Sequence, residues 1–172
     1  MRKFNYYIIG LICNILSIIF LLFNSYTLTA TKGSKKMIFK YSGYDAFLCI
    51  ESDYASPQFG GISFIIILLI ILTIFIYLII KKNHTSSLVY INLYLIGIEI
   101  ALLLIGVIDG LDNIHPEASL LKYAYTTSGW KVNYYMSFGS ILTIIFLILS
   151  FASIIIDKKI FNYNISNKKK KK

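Results

Sequence analysis

Glu99 carries the most chemistry in this chain. It lies near the middle of an apolar block, residues 88–108, as the only charged residue of that block. A carboxylate at such a position costs at least ~2.5 kcal/mol to bury in a bilayer. It must therefore face other helices, be neutral, or both. Asn92, Glu99 and Gly106 recur every seven residues and share one helical face. A matching stripe runs through the first apolar block: Gly10, Asn14, Ser17, Leu21 and Asn24. The two blocks enter from the same side, and counting along them brings Glu99 to the depth of Ser17, with Asn14 about one turn lower. Glu99, Asn92, Asn14 and Ser17 are thus the candidate intramembrane polar site. The expected arrangement is a neutral Glu99 hydrogen-bonded between helices, against Asn14 and Ser17. The alternative is a proton or cation site in a transport pathway. A transporter usually adds a second ionisable group or a broken helix at the midplane, and of these only Gly97 is a candidate here.

No other group of residues matches a chemical motif. Asp109, Asp112, His115 and Glu117 form the one acid-and-imidazole cluster. Their spacing fits no metal motif, and Asp and Asn before a helix are ordinary turn and cap residues. Ser140, Thr143, Ser150 and Ser153 are small hydroxylated residues of the kind that let helices approach closely in lipid. No nucleophile, base and oxyanion group converge, so no catalytic, cofactor-binding or metal residue is assigned and the chain reads as a non-enzyme. Cys13 and Cys49 are too few for a disulfide framework.

The elements that must hold Glu99 follow from the apolar distribution. Of 172 residues, 57% are hydrophobic and 15% charged, far from the soluble average. Four blocks, about 6–28, 61–80, 88–108 and 136–156, each reach the ~20 residues that span a bilayer as a helix. The expected fold is an all-α integral membrane protein, with a four-helix membrane domain (1–157), outer loops at about 30–60 and 109–135, and a basic tail (158–172). The second block, almost without polar residues, is expected to be the most lipid-exposed.

The net charge of +9 is distributed along the chain as a membrane protein would need. With both termini and the loop 81–87 in the cytoplasm, that side holds Arg2, Lys3, Lys81, Lys82, Lys158, Lys159 and Lys168 to Lys172, with Asp157 the one acid. The other side holds six lysines and six acids. This obeys the positive-inside rule, although Lys32, Lys35, Lys36 and Lys40 stand close after the first block on the outer side. The lysine tail suits the anionic inner leaflet, and no nucleic-acid-binding pattern appears. A cleaved signal sequence ending at Ala30 is the alternative for the first block; its apolar run is longer than usual for one. The abundance of Asn, Lys, Ile, Tyr and Phe suggests a low-GC bacterium.

Both outer loops are long. Each has a Ser-Gly-aromatic turn, Ser42-Gly43-Tyr44 and Ser128-Gly129-Trp130, which suggests a parallel repeat of two halves. Pro116 at a first helical position predicts a short helix over 116–125. The many loop tyrosines are expected to form a small outer core, with Tyr44, Asp45 and Trp130 as candidate interaction residues. With Ser42-Gly43-Tyr44-Asp45 in the first loop, and Ser128-Gly129-Trp130 then Gly139 before the last helix, the layout resembles small four-helix bacterial membrane proteins of uncharacterised function. The claudin-like group shares the topology, but its paired loop cysteines are absent. The resemblance implies a multi-pass cell-membrane protein that binds a membrane or envelope partner, organises the envelope, or serves as an immunity or accessory protein. The alternative function is a small transporter or channel subunit that uses Glu99.

Overall fold

The computed structural model describes residues 6–48, 59–81, 87–108 and 116–170. The chain runs α1 (Tyr6–Phe20), β1 (Asn24–Lys32), β2 (Lys35–Ser42), α2 (Gly43–Leu48), α3 (Phe59–Lys81), α4 (Ser87–Ile108), α5 (Pro116–Thr127), β3 (Lys131–Met136) and α6 (Phe138–Lys170). It is mostly helical. Three helices contain segments long and apolar enough to cross a membrane: Gly61–Lys81, Ser87–Leu104 and Phe138–Lys158. The apolar α1 is shorter, at 15 residues.

Two sequence expectations are corrected at α1. The first apolar block is not one helix over 6–28, and the fold is not all-α. Past Phe20 the helix tightens into i→i−3 bonds, Leu21 N to Ile18 O at 3.3 Å and Leu22 N to Ile19 O at 3.0 Å, and then stops. From Asn24 the chain is a strand. Ser25, Thr27, Thr29 and Thr31 alternate with Tyr26, Leu28 and Ala30, and β-branched residues in a two-residue period favour a pleated strand. β1 lies at the centre of a three-stranded antiparallel sheet of order β2-β1-β3. The β1–β2 hairpin closes on Gly33-Ser34, with Lys32 opposite Lys35 and Gly33 at φ 59°. A two-residue turn needs such a φ, and glycine adopts it without strain.

The helices form a bundle in which α1 packs on α6 and α3, and α4 packs on α3 and α6. α1 and α4 therefore lie on the diagonal. Each helix buries one stripe with steps of three and four: Tyr7, Gly10, Asn14, Ser17 on α1; Phe64, Leu68, Ile71, Phe75, Leu78 on α3; Val89, Asn92, Ile96, Glu99, Leu103 on α4; Ser140, Thr143, Leu147, Ser150, Ile154, Asp157 on α6. This is the 3.5-residue period of helices that supercoil left-handedly. The α3 stripe is entirely apolar, while the other three carry polar residues. In the most apolar 18-residue stretch of each, 33% of α3 is buried within the protein, 28% of α4 and 39% of α6.

The sheet, α2 and α5 cap one end of the bundle, the sheet end. The cap is joined to the bundle by an aromatic ladder. Tyr134 stacks on Tyr26 at 5.6 Å, Tyr26 meets Phe47 edge-on at 5.9 Å, and Phe47 stacks on Phe64 of α3 at 4.3 Å. Of the loop tyrosines expected to form a small core, Tyr41 is buried, Tyr44 and Tyr125 are half-buried and Tyr123 is exposed, while Tyr54 lies outside the described residues. The ladder's own tyrosines, buried Tyr26 and half-buried Tyr134, come from segments expected to be helix and membrane interface. The expected short helix exists as α5. The two Ser-Gly-aromatic turns do opposite jobs, which removes the proposed repeat. Gly43 starts a helix after a strand. Gly129, at φ 76°, ends α5 before a strand, with Trp130 N bonded to Tyr125 O and Gly129 N to Thr126 O, both at 3.0 Å. That pair of bonds is the Schellman helix end.

Candidate functional site: a polar seam in the helix bundle

The seam begins where α1 and α6 come closest. Gly10 and Gly139 are the small residues that permit it. A Cβ on Gly139 would lie 2.8 Å from the Phe20 carbonyl and 3.0 Å from that of Asn24. Through this close approach, hydroxyls of α6 reach the α1 backbone. The Ser150 hydroxyl donates to Gly10 O at 3.1 Å, and that of Thr143 lies 3.2 Å from Ser17 O. Within α1, the Ser17 hydroxyl donates to Asn14 O at 2.7 Å. At the end away from the sheet, the buried Tyr7 hydroxyl faces the buried Asp157 carboxylate. One residue on, Lys158 places its ammonium 3.3 Å from the Tyr90 ring centroid, a cation–π contact.

The register of α1 on α6 is set by the Ser150–Gly10 and Thr143–Ser17 bonds, and Asn14 falls between them. On α4, Asn92 stands two turns nearer the Tyr90 end than Glu99. All four are fully buried, at 0% exposure, so all four predicted site residues face the bundle interior.

The expected bonding is not found. Both carboxylate oxygens of Glu99, and both amide atoms of Asn14 and of Asn92, have no hydrogen-bond partner among the described residues. Ser17 is taken up by its own helix and by Thr143. Glu99 and Asn14 sit on diagonal helices and stand apart across the bundle axis. Most buried polar groups in proteins are hydrogen-bonded, so three unsatisfied side chains in one stretch of core form a distinct feature. Among the described residues no Lys, Arg or His is buried, so Glu99 has no buried basic neighbour among them. Asp157 was read from sequence only as the acid at the end of the last helix. Its spacing of seven from Ser150 was the available sign that it belongs to the seam.

The outer-loop candidates have structural partners. The Tyr44 hydroxyl donates to Ile18 O at 3.1 Å, tying α2 to the end of α1. Asp45 lies in the first turn of α2, where its backbone N–H donates to the Ser42 hydroxyl at 3.0 Å. Trp130 packs edge-on against Tyr125 at 5.4 Å, and Tyr125 meets Phe39 at 5.6 Å. Burial raises the Tyr26, Tyr44 and Tyr134 phenols above their usual range, and for Tyr134 the neighbouring Tyr26 and Tyr41 add to it. No group of three or more metal-ligating side chains occurs among the described residues; Asp109, Asp112 and His115 lie outside them, as does Cys49, and the side chain of Glu117 is not described. An open apolar groove of about 810 Å³ runs along the outward face of α4, lined by Tyr90, Tyr94, Gly97, Ala101 and Phe151, away from the seam. The chain matches no protein family, no curated protein and no solved structure.

Proposed function

We propose that the chain is a non-enzymatic, four-span protein of the cell membrane, with both termini cytoplasmic, that holds a β-sheet cap on the outer surface for a membrane or envelope partner. An accessory or immunity role has this form. The observation that carries the reading is the course of α1. It runs beside α6 from Asp157, which its Tyr7 meets, to Gly139, against which its last carbonyl packs. The Gly139–Asp157 stretch of α6 is 19 residues, about 27 Å from first to last, close to the ~30 Å hydrocarbon thickness. The turn after Phe20 completes the crossing that α1 alone is too short to make. With α1 counted, the chain crosses four times and its ends share a side. The positive-inside asymmetry makes that side the cytoplasm, where Lys168 to Lys172 meet the anionic inner leaflet.

The partner surface in this reading is β2, an edge strand with exposed Met37 and Ile38 among exposed Lys35, Lys36 and Lys40. Single cysteines at Lys35 and Ser86, in a chain lacking Cys13 and Cys49, test the arrangement. An impermeant maleimide applied to intact cells is expected to label the Lys35→Cys protein and spare the Ser86→Cys protein. Labelling of Ser86→Cys alone inverts the orientation, and labelling of both removes a span.

A further inference from the structure

We propose that the groove beside α4 and α6 holds one acyl chain of an anionic phospholipid, whose phosphate sits on Lys158. The inference rests on the membrane reading above and is separate from the lysine tail. The groove, about 810 Å³, is lined by Tyr90, Tyr94, Gly97 and Ala101 of α4 and by Phe151 of α6. The four α4 residues follow steps of four, three and four, one stripe of the helix. The groove is hollow where that stripe is small. Gly10, Gly43, Gly61 and Gly139 each press on a neighbour, whereas nothing among the described residues lies within 4 Å of a Cβ at Gly97. Tyr90 and Tyr94, both exposed, stand up beside the hollow.

Length and charge select the occupant. From Tyr90 to Ala101 the stripe covers eleven steps of helix, about 16 Å, half of the ~30 Å hydrocarbon core. That is the depth of one leaflet, which a single lipid chain fills. A partner's spanning helix would press on a face twice as long. A cation stands at one end of the groove: the Lys158 ammonium lies 3.3 Å from the centroid of the Tyr90 ring. Lys158 also follows Phe151 by seven residues, so the two share a face of α6. The neighbouring acid, Asp157, is buried and faces Tyr7 of α1 instead. An ammonium brings three donors to the mouth, and the groove behind it is apolar except for the tyrosine hydroxyls. A phosphate with an acyl chain matches both parts. Basic pockets between spanning helices at the cytoplasmic side hold lipid phosphates in this way, and in the proposed orientation Lys158 stands at the anionic inner leaflet.

The full chain is first washed in membranes with alkaline carbonate. Release overturns the membrane reading and this proposal together; after retention, the lipid result bears on this proposal alone. The protein is then melted in neutral detergent with phosphatidylglycerol, with phosphatidylcholine of the same chains, or with inorganic phosphate. The expected result is a saturable rise in Tm with both lipids, at a lower concentration for phosphatidylglycerol, and none with phosphate. Lys158→Gln is expected to raise the half-saturating phosphatidylglycerol concentration about fivefold, as ~1 kcal/mol for one lysine implies, and to leave phosphatidylcholine unchanged. Gly97→Leu fills the hollow, so the response to both lipids is expected to vanish while the helical circular dichroism persists. Lys168→Gln through Lys172→Gln together are expected to keep the preference. Equal half-saturation by the two lipids overturns the proposal, as does a preference that survives Lys158→Gln and disappears with the tail lysines. A lipid response unchanged in Gly97→Leu overturns it too, and so does an equal rise with inorganic phosphate. A lipid-free dimer that Gly97→Leu makes monomeric assigns the groove to a second copy and also overturns it.

Discussion

At the residue scale, the bundle depends on where side chains are missing. Gly139 backs against the Phe20 and Asn24 carbonyls, and a Cβ there would also meet the Ser25 hydroxyl at 2.5 Å. Gly139→Leu must push α1 and α6 apart, and overpacking of this kind costs about 1–3 kcal/mol. A lowered Tm in detergent, with loss of the α1–α6 hydroxyl bonds, is the expected result. Gly97 is the control, since nothing lies within 4 Å of a Cβ there. Gly97→Ala is expected to keep or raise the Tm, because alanine is the better helix former by about 0.5–1 kcal/mol. The burial of Glu99, Asn92, Asn14 and Ser17 was legible in the sequence, because a seven-residue repeat fixes a shared face. The neighbour of that face was not legible. Residue counting gives height along a helix and says nothing of which helix sits opposite, so α1 was taken as adjacent to α4 when it lies on the diagonal.

At the scale of elements, the boundary between α1 and β1 was the hardest to read. Apolar character continues from Tyr6 to Leu28 without a break, and length alone favoured one long helix. The alternation of threonine with Tyr26, Leu28 and Ala30 was the contrary signal, as was Val132, Tyr134 and Met136 in β3. Pairing with β2 and β3, each distant in sequence or lacking an apolar run, could not be seen from either strand alone. The Tyr26–Tyr134 stack should govern how this sheet responds to alkali. In the unfolded chain both phenols ionise near ~10; folded, burial holds both higher. The neutral form is thus favoured by folding, so this contribution is complete below pH ~10 and declines as pH rises beyond it. Tyrosinate absorbance is expected to show a late-titrating group of phenols that includes these two, smaller by one in each of Tyr26→Phe and Tyr134→Phe. Titration of every tyrosine together near its ordinary value would contradict the packing. Tyr134→Ala should also cost the ring pair about 0.5–1.5 kcal/mol beyond lost area, read as earlier unfolding of the cap.

At the scale of the whole molecule, a bundle and a cap share one pair of chain segments. α1 leads into β1, β3 leads into α6, and the two ribbons lie side by side through both layers. Three bonds stitch the joint: Ser137 N to Ser25 O at 2.8 Å, Gly43 N to Leu21 O at 2.7 Å, and Thr27 to Ser137 through their hydroxyls at 2.6 Å. At the opposite end, α6 continues as helix to Lys170, through the segment read from sequence as a basic tail from 158 onward. In the proposed arrangement, five lysines at about 1 kcal/mol each or less would give this end a salt-sensitive hold on anionic lipid. A peptide of residues 157–172 is expected to bind anionic vesicles and release at high salt, and equal binding to neutral vesicles would exclude that role. The same deletion in the full chain should leave insertion intact.

The pairing of β1 with β3 sets an order on synthesis. Thr31 lies opposite Lys131, and Tyr26 opposite Met136, so the central strand waits for about a hundred further residues before its second edge is covered. Until then β1 shows a row of open N–H and C=O groups, the kind of edge that pairs wrongly with other chains. A chain halted after α4 can close the hairpin and place three helices, yet its cap stays open. The cap closes only when β3 has been made, and since β3 runs directly into α6, sealing of the sheet and delivery of the last helix are adjacent events in synthesis.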